Sequence, residues 1–245
     1  MTMVKCEDLK KYFPIQRGAF KGKAGIVKAV DGVTLEIKKG ETFGIVGESG
    51  CGKTTLGKLI LGILKPDSGS ITSATKDLQA IFQDPYNSLD PKMKIYDILS
   101  EGLVLKREAG DMRKRVEDLL DLVRLPEDSL KKYPHQFSGG ERQRIAIGRA
   151  VLTHPEFIVC DEPVSSLDVT IQLQILKLLK TIQKKMSITY LFISHDLRVV
   201  KFMSDRIAVM KDGRIIEEGA TQVVYAKPVH PYTKQLLSSV LAYGY

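Results

Sequence analysis

Cysteine is scarce in this 245-residue chain: Cys6, Cys51 and Cys160 are the full set, spaced neither as a disulfide framework nor as a metal cluster. An odd number, one of them inside a glycine-rich loop, predicts free thiols in a reducing cytoplasm. Long apolar runs are missing too. None reaches the length that spans a bilayer, which argues against a helical membrane protein. The first ten residues are mixed and charged and predict no signal peptide. Internal repeats, low-complexity tracts, a coiled-coil insertion and the pattern of a DNA-binding module are all absent. Charge of one sign, by contrast, is in excess: 37 Lys and Arg against 29 Asp and Glu, a net +8. That balance suits phosphate ligands, nucleic acid or an anionic membrane face, and does not choose among them. The length allows one large domain or two small ones around a substantial core.

What is present centres on Gly47-Glu48-Ser49-Gly50-Cys51-Gly52-Lys53-Thr54, which fits glycine, any four residues, Gly-Lys-Ser/Thr. Backbone N–H groups in such a loop turn inward around phosphate oxygens, and glycine permits the angles and the close approach. Lys53 is placed to reach the β- and γ-phosphates, and the Thr54 hydroxyl to ligate Mg²⁺. Thr54 also opens a helix, whose N-terminus favours an anion. The flanks agree. Thr42 to Val46 is a short apolar run suited to a buried strand, and Leu56, Leu59, Ile60, Ile63 and Leu64 mark one helical face from Lys53 to Leu64, closed by Pro66. Cys51 reads either as a small loop filler or as a thiol open to alkylation where nucleotide binds.

Upstream, residues 3–37 read as strands and turns, with a turn signal at Asp31-Gly32 and alternation at Val33, Leu35 and Ile37. Residues 14–25 read as an exposed, solvated loop. Tyr12 and Phe13 before it fit base stacking or core packing. Downstream, Pro66 to Gly69 reads as a turn, Ser70 to Thr72 as the start of a strand, and Ala80 to Phe82 as a short buried strand. That run ends at Gln83, a polar amide at a strand terminus, where α/β proteins keep their ligand crevice. Residues 92–153 become helical, and Ser138-Gly139-Gly140-Glu141 opens a further helix. Ser138 fits a plain N-cap or, with the glycines, a second anion site. Phe157 to Asp161 is an apolar strand ending in the carboxylates Asp161 and Glu162. Beside a phosphate loop, such a pair can hold Mg²⁺ and polarise an attacking water. Asp168 precedes a long amphipathic helix carrying Ile171, Ile175, Leu178, Leu179 and Ile182. Tyr190 to Ser194 is another buried-type strand ending at His195, which fits a structural or a catalytic role. Arg206 to Met210 and Arg214 to Glu217 form a hairpin through Lys211-Asp212-Gly213.

The order of these motifs resembles the ATP-binding cassette family over roughly residues 3–235, and Ser138 to Glu141 is its distinguishing signature. The resemblance implies an α/β fold. A P-loop NTPase (RecA-like) core and antiparallel β-subdomain would occupy about 1–91 and 154–225, a helical subdomain about 92–153, and a tail 226–245. Phe82 to Pro91 and Lys227 to Lys234 are similar to segments of oligopeptide, dipeptide and nickel importer ATPases. Phe137 in place of the usual Leu, and Glu141 in place of the commonest Gln, resemble the same subfamily. Residues 68–80 are shorter than the family's strand pair, which predicts a trimmed β-subdomain. The tail is short, and no cysteine cluster follows it, so no iron–sulfur site is expected.

Further expectations come from the resemblance. ATP and Mg²⁺ are the cofactors. Gly47, Ser49, Gly50, Cys51, Gly52, Lys53, Thr54 and Thr55 bind phosphates. Thr54, Gln83 and Asp161 serve the metal, and Glu162, His195, Lys53 and Gln83 serve catalysis. Tyr12 stacks adenine. Ser138, Gly139, Gly140, Glu141 and Asp168 work across a head-to-tail dimer with a second, identical or paralogous, ATPase subunit. Partners are transmembrane permease subunits, contacted near Tyr86, and indirectly a substrate-binding protein, with no nucleic acid. The place of work is the cytoplasmic face of the cell membrane. Two other readings are weighed: a soluble, non-transport ATPase of the same family acting on nucleic acid or in an assembly pathway, and a nucleotide-gated module that does not hydrolyse.

Overall fold

β-Strand content gathers at the two ends of the chain and helix in the middle, in the order that the apolar runs and helical periodicities predict. The computed structural model describes residues 1–14, 25–84, 88–107 and 110–242. The loop expected at 14–25 and the expected contact at Tyr86 therefore lie largely outside the described residues. The chain divides into two units, Met1–Lys76 with Thr189–Tyr245, and Asp77–Ile188.

In the first unit, β1 (Thr2–Pro14) pairs antiparallel with β2 (Ile26–Lys38) on one side and with β4 (Ser68–Ser73) on the other. Asp31-Gly32 does not reverse the chain as expected. It lies inside β2, where Leu9 pairs Val33 and Lys10 pairs Asp31, leaving Gly32 as an inserted residue at φ 79°. A left-handed residue can be absorbed as a bulge that bends a strand, and the pairing on both sides of Gly32 selects that outcome. A second sheet has β3 (Thr42–Val46) between parallel β7 (Thr189–Ile193) and β8 (Arg206–Lys211). β9 (Arg214–Ala220) closes a hairpin on β8 through Asp212 and Gly213, both at positive φ. β3 and β7 are buried along their whole length, as continuous apolar strands in a parallel sheet should be. Phe43, Ile45, Tyr190 and Phe192 form the centre of this core. Each such side chain contributes about 1.5–3 kcal/mol by leaving water.

Helix α1 (Lys53–Ile60) buries Leu56, Leu59 and Ile60 and packs against β2 and β7. It stops four residues short of the expected Leu64. Gly62 turns left-handed at φ 72°, the amides of Ile63 and Leu64 fold back on the Lys58 carbonyl, and Ile63 is left exposed. The glycine therefore ends the helix before Pro66 has any part in it.

The second unit pairs β5 (Leu78–Ile81) parallel with β6 (Phe157–Asp161), Ile81 opposite Cys160. Between them in sequence run α2 (Ile95–Lys106), α3 (Met112–Val123) and α4 (Gly139–Val151), which pack on one another. Asp111 caps α3 by accepting the Lys114 amide at 3.0 Å. α5 (Val169–Met186) buries Ile175, Leu178, Leu179 and Ile182 of the expected apolar face, with Ile171 half-buried in its first turn, and leans on α4. Back in the first unit, α6 (Leu197–Met203), α7 (Thr221–Ala226) and α8 (Pro231–Ala242) complete the chain. α6 packs on both α7 and α8.

Candidate nucleotide site

β3 ends at Val46, and the loop Gly47 to Gly52 carries the chain into α1. At its end Gly52 adopts φ 110°, and a Cβ placed there would lie 1.9 Å from the Ala29 carbonyl oxygen. Neither the angle nor the space admits a side chain. Gly50, at φ 81°, has nothing within 4 Å of its missing Cβ, so the crest of the loop is bare backbone. Close support behind and open space in front are what a phosphate cradle requires. Lys53 is buried, and its ammonium donates to the Gly47 and Glu48 carbonyls, each at 2.8 Å. Thr54 is exposed and Thr55 half-buried at the start of α1.

The loop is braced by distant residues. The Gly213 amide donates to the Cys51 carbonyl at 3.0 Å, and the Asp31 amide to the Gly213 carbonyl at 2.8 Å. Tyr12 stands on the strand next to this brace, paired with Lys28. Its amide donates to Asp67 and its hydroxyl to Asp31, at 2.7 and 2.6 Å. Asp31 also takes the Arg214 guanidinium at 2.6 Å. The Tyr12 hydroxyl and Arg214 hold the Asp31 carboxyl below its ordinary value, while the bond to Asp31 pushes the Tyr12 phenol up. Tyr12 is thus neither free nor a plain core aromatic: its edge is pinned and its ring has the Lys28 ammonium 5.6 Å from the centroid.

His195 follows β7. The Ser194 amide donates to the Ile45 carbonyl at 3.2 Å, so β3 and β7 end together. This brings exposed His195 and the loop to the same C-terminal edge of one parallel sheet, the edge where such folds bind ligands.

The second unit gathers the remaining candidates at the ends of β5 and β6. Gln83 lies exposed two residues beyond β5, and Asp161 ends β6 buried. Glu162 turns left-handed at φ 49°, and its carbonyl accepts the Ser165 amide and hydroxyl. Asp168 is exposed and caps α5 through the Ile171 amide at 3.0 Å. Ser138 caps α4 in a reciprocal box: its hydroxyl accepts the Glu141 amide at 3.4 Å, and the Glu141 carboxylate takes the Ser138 amide and hydroxyl at 2.8 and 2.7 Å. Those bonds from Ser138 keep the Glu141 carboxyl below its usual range. Gly139 and Gly140 face Leu167 and Ile171, so the signature segment and the Asp168 segment lie side by side.

The profile of the ABC transporter family matches residues 30–165. The chain belongs to that family. Among curated ABC relatives, it is 48% identical over 251 residues to the oligopeptide transport ATP-binding protein OppF of Lactococcus lactis subsp. lactis, covering 96% of this chain and 79% of that one. It is 49% identical over 240 residues to the dipeptide transport ATP-binding protein DppF of Lactococcus lactis subsp. cremoris, covering 90% and 77%. Among solved ABC structures it resembles the dimeric post-hydrolysis state of the cassette MJ0796 bound to ADP and Pi, with TM-score 0.77, 30% identity, and 89% and 99% coverage. It also resembles cbiO1 of Clostridium perfringens, part of the ABC transporter complex cbiONQ, with TM-score 0.78, 30% identity, and 99% and 95% coverage. The fold is that of an ABC ATPase and the chain is an ATP-binding enzyme of that class. Among the described residues no cluster of three His, Cys, Asp or Glu forms an all-protein metal site.

One residue at the phosphate loop escaped sequence reasoning. The Tyr232 hydroxyl accepts the Glu48 amide at 3.3 Å. The signal available was a tyrosine after His230-Pro231 in the tail, which carries no local hint of a partner in the loop.

Proposed function

We propose that the chain is the ATP-hydrolysing subunit of an importer of oligopeptides or dipeptides. The observation that carries this reading is the bare-backbone loop sharing a sheet edge with His195, in a chain nearly half identical to peptide-transport ATP-binding proteins. Gly47, Ser49, Gly50, Cys51, Gly52, Lys53, Thr54 and Thr55 bind the phosphates, and Tyr12 stacks the adenine. Mg²⁺ would be held by the Thr54 hydroxyl, the Gln83 amide oxygen and the Asp161 carboxylate, and would neutralise charge on the β- and γ-phosphates. Glu162 orients and polarises the attacking water, and His195 contacts the γ-phosphate. Positioning and charge stabilisation carry most of the catalysis in phosphoryl transfer.

Ser138, Gly139, Gly140 and Glu141 close on the nucleotide of a second ATPase subunit, and Asp168 couples the two sites. In this reading the RecA-like core and β-subdomain take about 1–91 and 154–225, the helical subdomain about 92–153. Among the described residues no helix is long and apolar enough to cross a membrane. The reading gives that crossing to separate permease subunits, supplied by a substrate-binding protein, with this chain peripheral on the cytoplasmic face. The test is Glu162→Gln in the complex with its permease. ATP should still bind while phosphate release and uptake of labelled dipeptide both fall at least about 100-fold. Turnover within a few-fold of wild type would remove Glu162 from its role. Undiminished turnover driven by nickel ions rather than peptide would overturn the cargo.

A further inference from the structure

The tail is tied to the phosphate loop through a chain of specific contacts. Glu217 on β9 accepts the amides of Val229 and His230 at 2.8 and 2.9 Å, which fixes the tail as it enters α8. His230 Nδ1 accepts the Tyr232 amide at 3.1 Å, setting the first turn of that helix. Tyr232 is then buried, with the Lys211 ammonium 4.6 Å from its ring centroid. Lys211 sits beside the same hairpin turn whose Gly213 amide braces Cys51. The Tyr232 hydroxyl accepts the Glu48 amide, and the carbonyl of Glu48 accepts the Lys53 ammonium at 2.8 Å. Glu48 is therefore held at its amide by the tail and at its carbonyl by the loop lysine. α8 also packs on α6, the helix that follows His195.

We propose that Tyr232 is a positioning residue for the phosphate loop, and that through it the docked tail presets the loop for ATP. The physical reason lies in what Lys53 must do. Its ammonium has three donors: two go to the Gly47 and Glu48 carbonyls, and the third, now toward the Cys51 thiol at 3.8 Å, must turn to a phosphate oxygen, which puts the load of the phosphate on those two carbonyls. The bond to Tyr232 commits the Glu48 amide to the tail and leaves the later amides of the loop for phosphate. It keeps the loop's first turn in place while Lys53 takes up the phosphate, so less order remains to be imposed on binding. By linkage, ATP should in turn hold the tail in place by the same factor. This inference rests on residues 47–54 being the phosphate loop.

Tyr232→Phe removes the hydroxyl and keeps the ring over which Lys211 sits. We expect ATP affinity by calorimetry to weaken about five-fold, the factor that one ordinary hydrogen bond represents. KM for ATP should rise in proportion, with kcat at saturating ATP within two-fold and the melting temperature of the nucleotide-free protein lowered by at most about 4 °C, the cost of one such bond. Amide exchange at Glu48 should speed up in the same variant. A control separates the two readings: Lys53→Ala must weaken ATP binding, and if it does not, the loop assignment itself fails. If Lys53→Ala weakens binding and Tyr232→Phe leaves affinity, KM and Glu48 exchange at wild-type values, the positioning role is overturned. A drop in melting temperature with KM unmoved would also overturn it, since that is the mark of a residue that merely packs.

Discussion

Cys51 shows how two opposed effects at one residue are decided by magnitude. Its thiol lies 3.8 Å from the Lys53 ammonium, a neighbour that favours thiolate. Burial works the other way and is the larger influence, so the thiol is pushed above its ordinary value. The sequence left Cys51 as loop filler or reactive site, and burial favours the first. Maleimide alkylation at pH 7 should therefore be slow, should rise about tenfold per pH unit from 7 to 9 as the thiolate fraction grows, and should be blocked by ATP. A rate that is flat across that range would mean that the thiolate is already formed and that Lys53 wins. Tyr12 is the companion case. The sequence offered an aromatic before a loop, whereas the placement of its hydroxyl is fixed by Asp31 and by Arg214, which meets that carboxylate from 183 residues away.

At the scale of elements, the meeting of α4 and α5 carries the signature segment. A Cβ on Gly140 would lie 2.6 Å from Ile171 Cγ2, and a β-branched side chain has little room to swing aside. Gly140→Ala should cost about 1–3 kcal/mol by overpacking. Ile171→Ala in the same chain should return most of that, a coupling read by urea unfolding of the four-member cycle. Simple additivity would show that the helices do not press on each other there. Elements were the most legible level of this protein. The apolar runs at Thr42, Phe157 and Tyr190 are strands because a strand buried on both faces needs no polar alternation, and α5 declared itself by a long apolar face. Their ends were less legible. Gly62 ended α1 early, and Gly32 became a bulge, because a left-handed residue can cap, turn or bulge and the neighbouring strand decides which.

For the whole molecule, the proposed site asks for two copies of the cassette, since Ser138 to Glu141 are assigned to the nucleotide of a second subunit. A hydrolysis-blocked Glu162→Gln chain should shift from monomer mass to twice that mass when ATP is added, by light scattering. A chain that binds ATP and stays monomeric would overturn self-pairing and assign the second face to a different ATPase subunit. The ATP dependence is the informative part, because in the proposed function closure on nucleotide would convert occupancy into movement of a membrane partner.

The eight-residue phosphate loop, the signature that opens α4, the carboxylates at the end of β6 and the buried strands of the core were all readable from the sequence. Each is a local device: a few adjacent residues whose backbone angles or periodicity produce the geometry wherever they occur. What waited for the tertiary structure was everything joined across the chain. The shared edge of Gly47 and His195 depends on β3 and β7 running parallel in register. The Asp31 hub joins three strands, and the bond from Glu48 to Tyr232 closes a separation of 184 residues. No local pattern encodes such contacts, because they form where packing of the sheets and helices happens to bring polar groups within 3 Å or so of each other, and burial then makes each bond costly to lose.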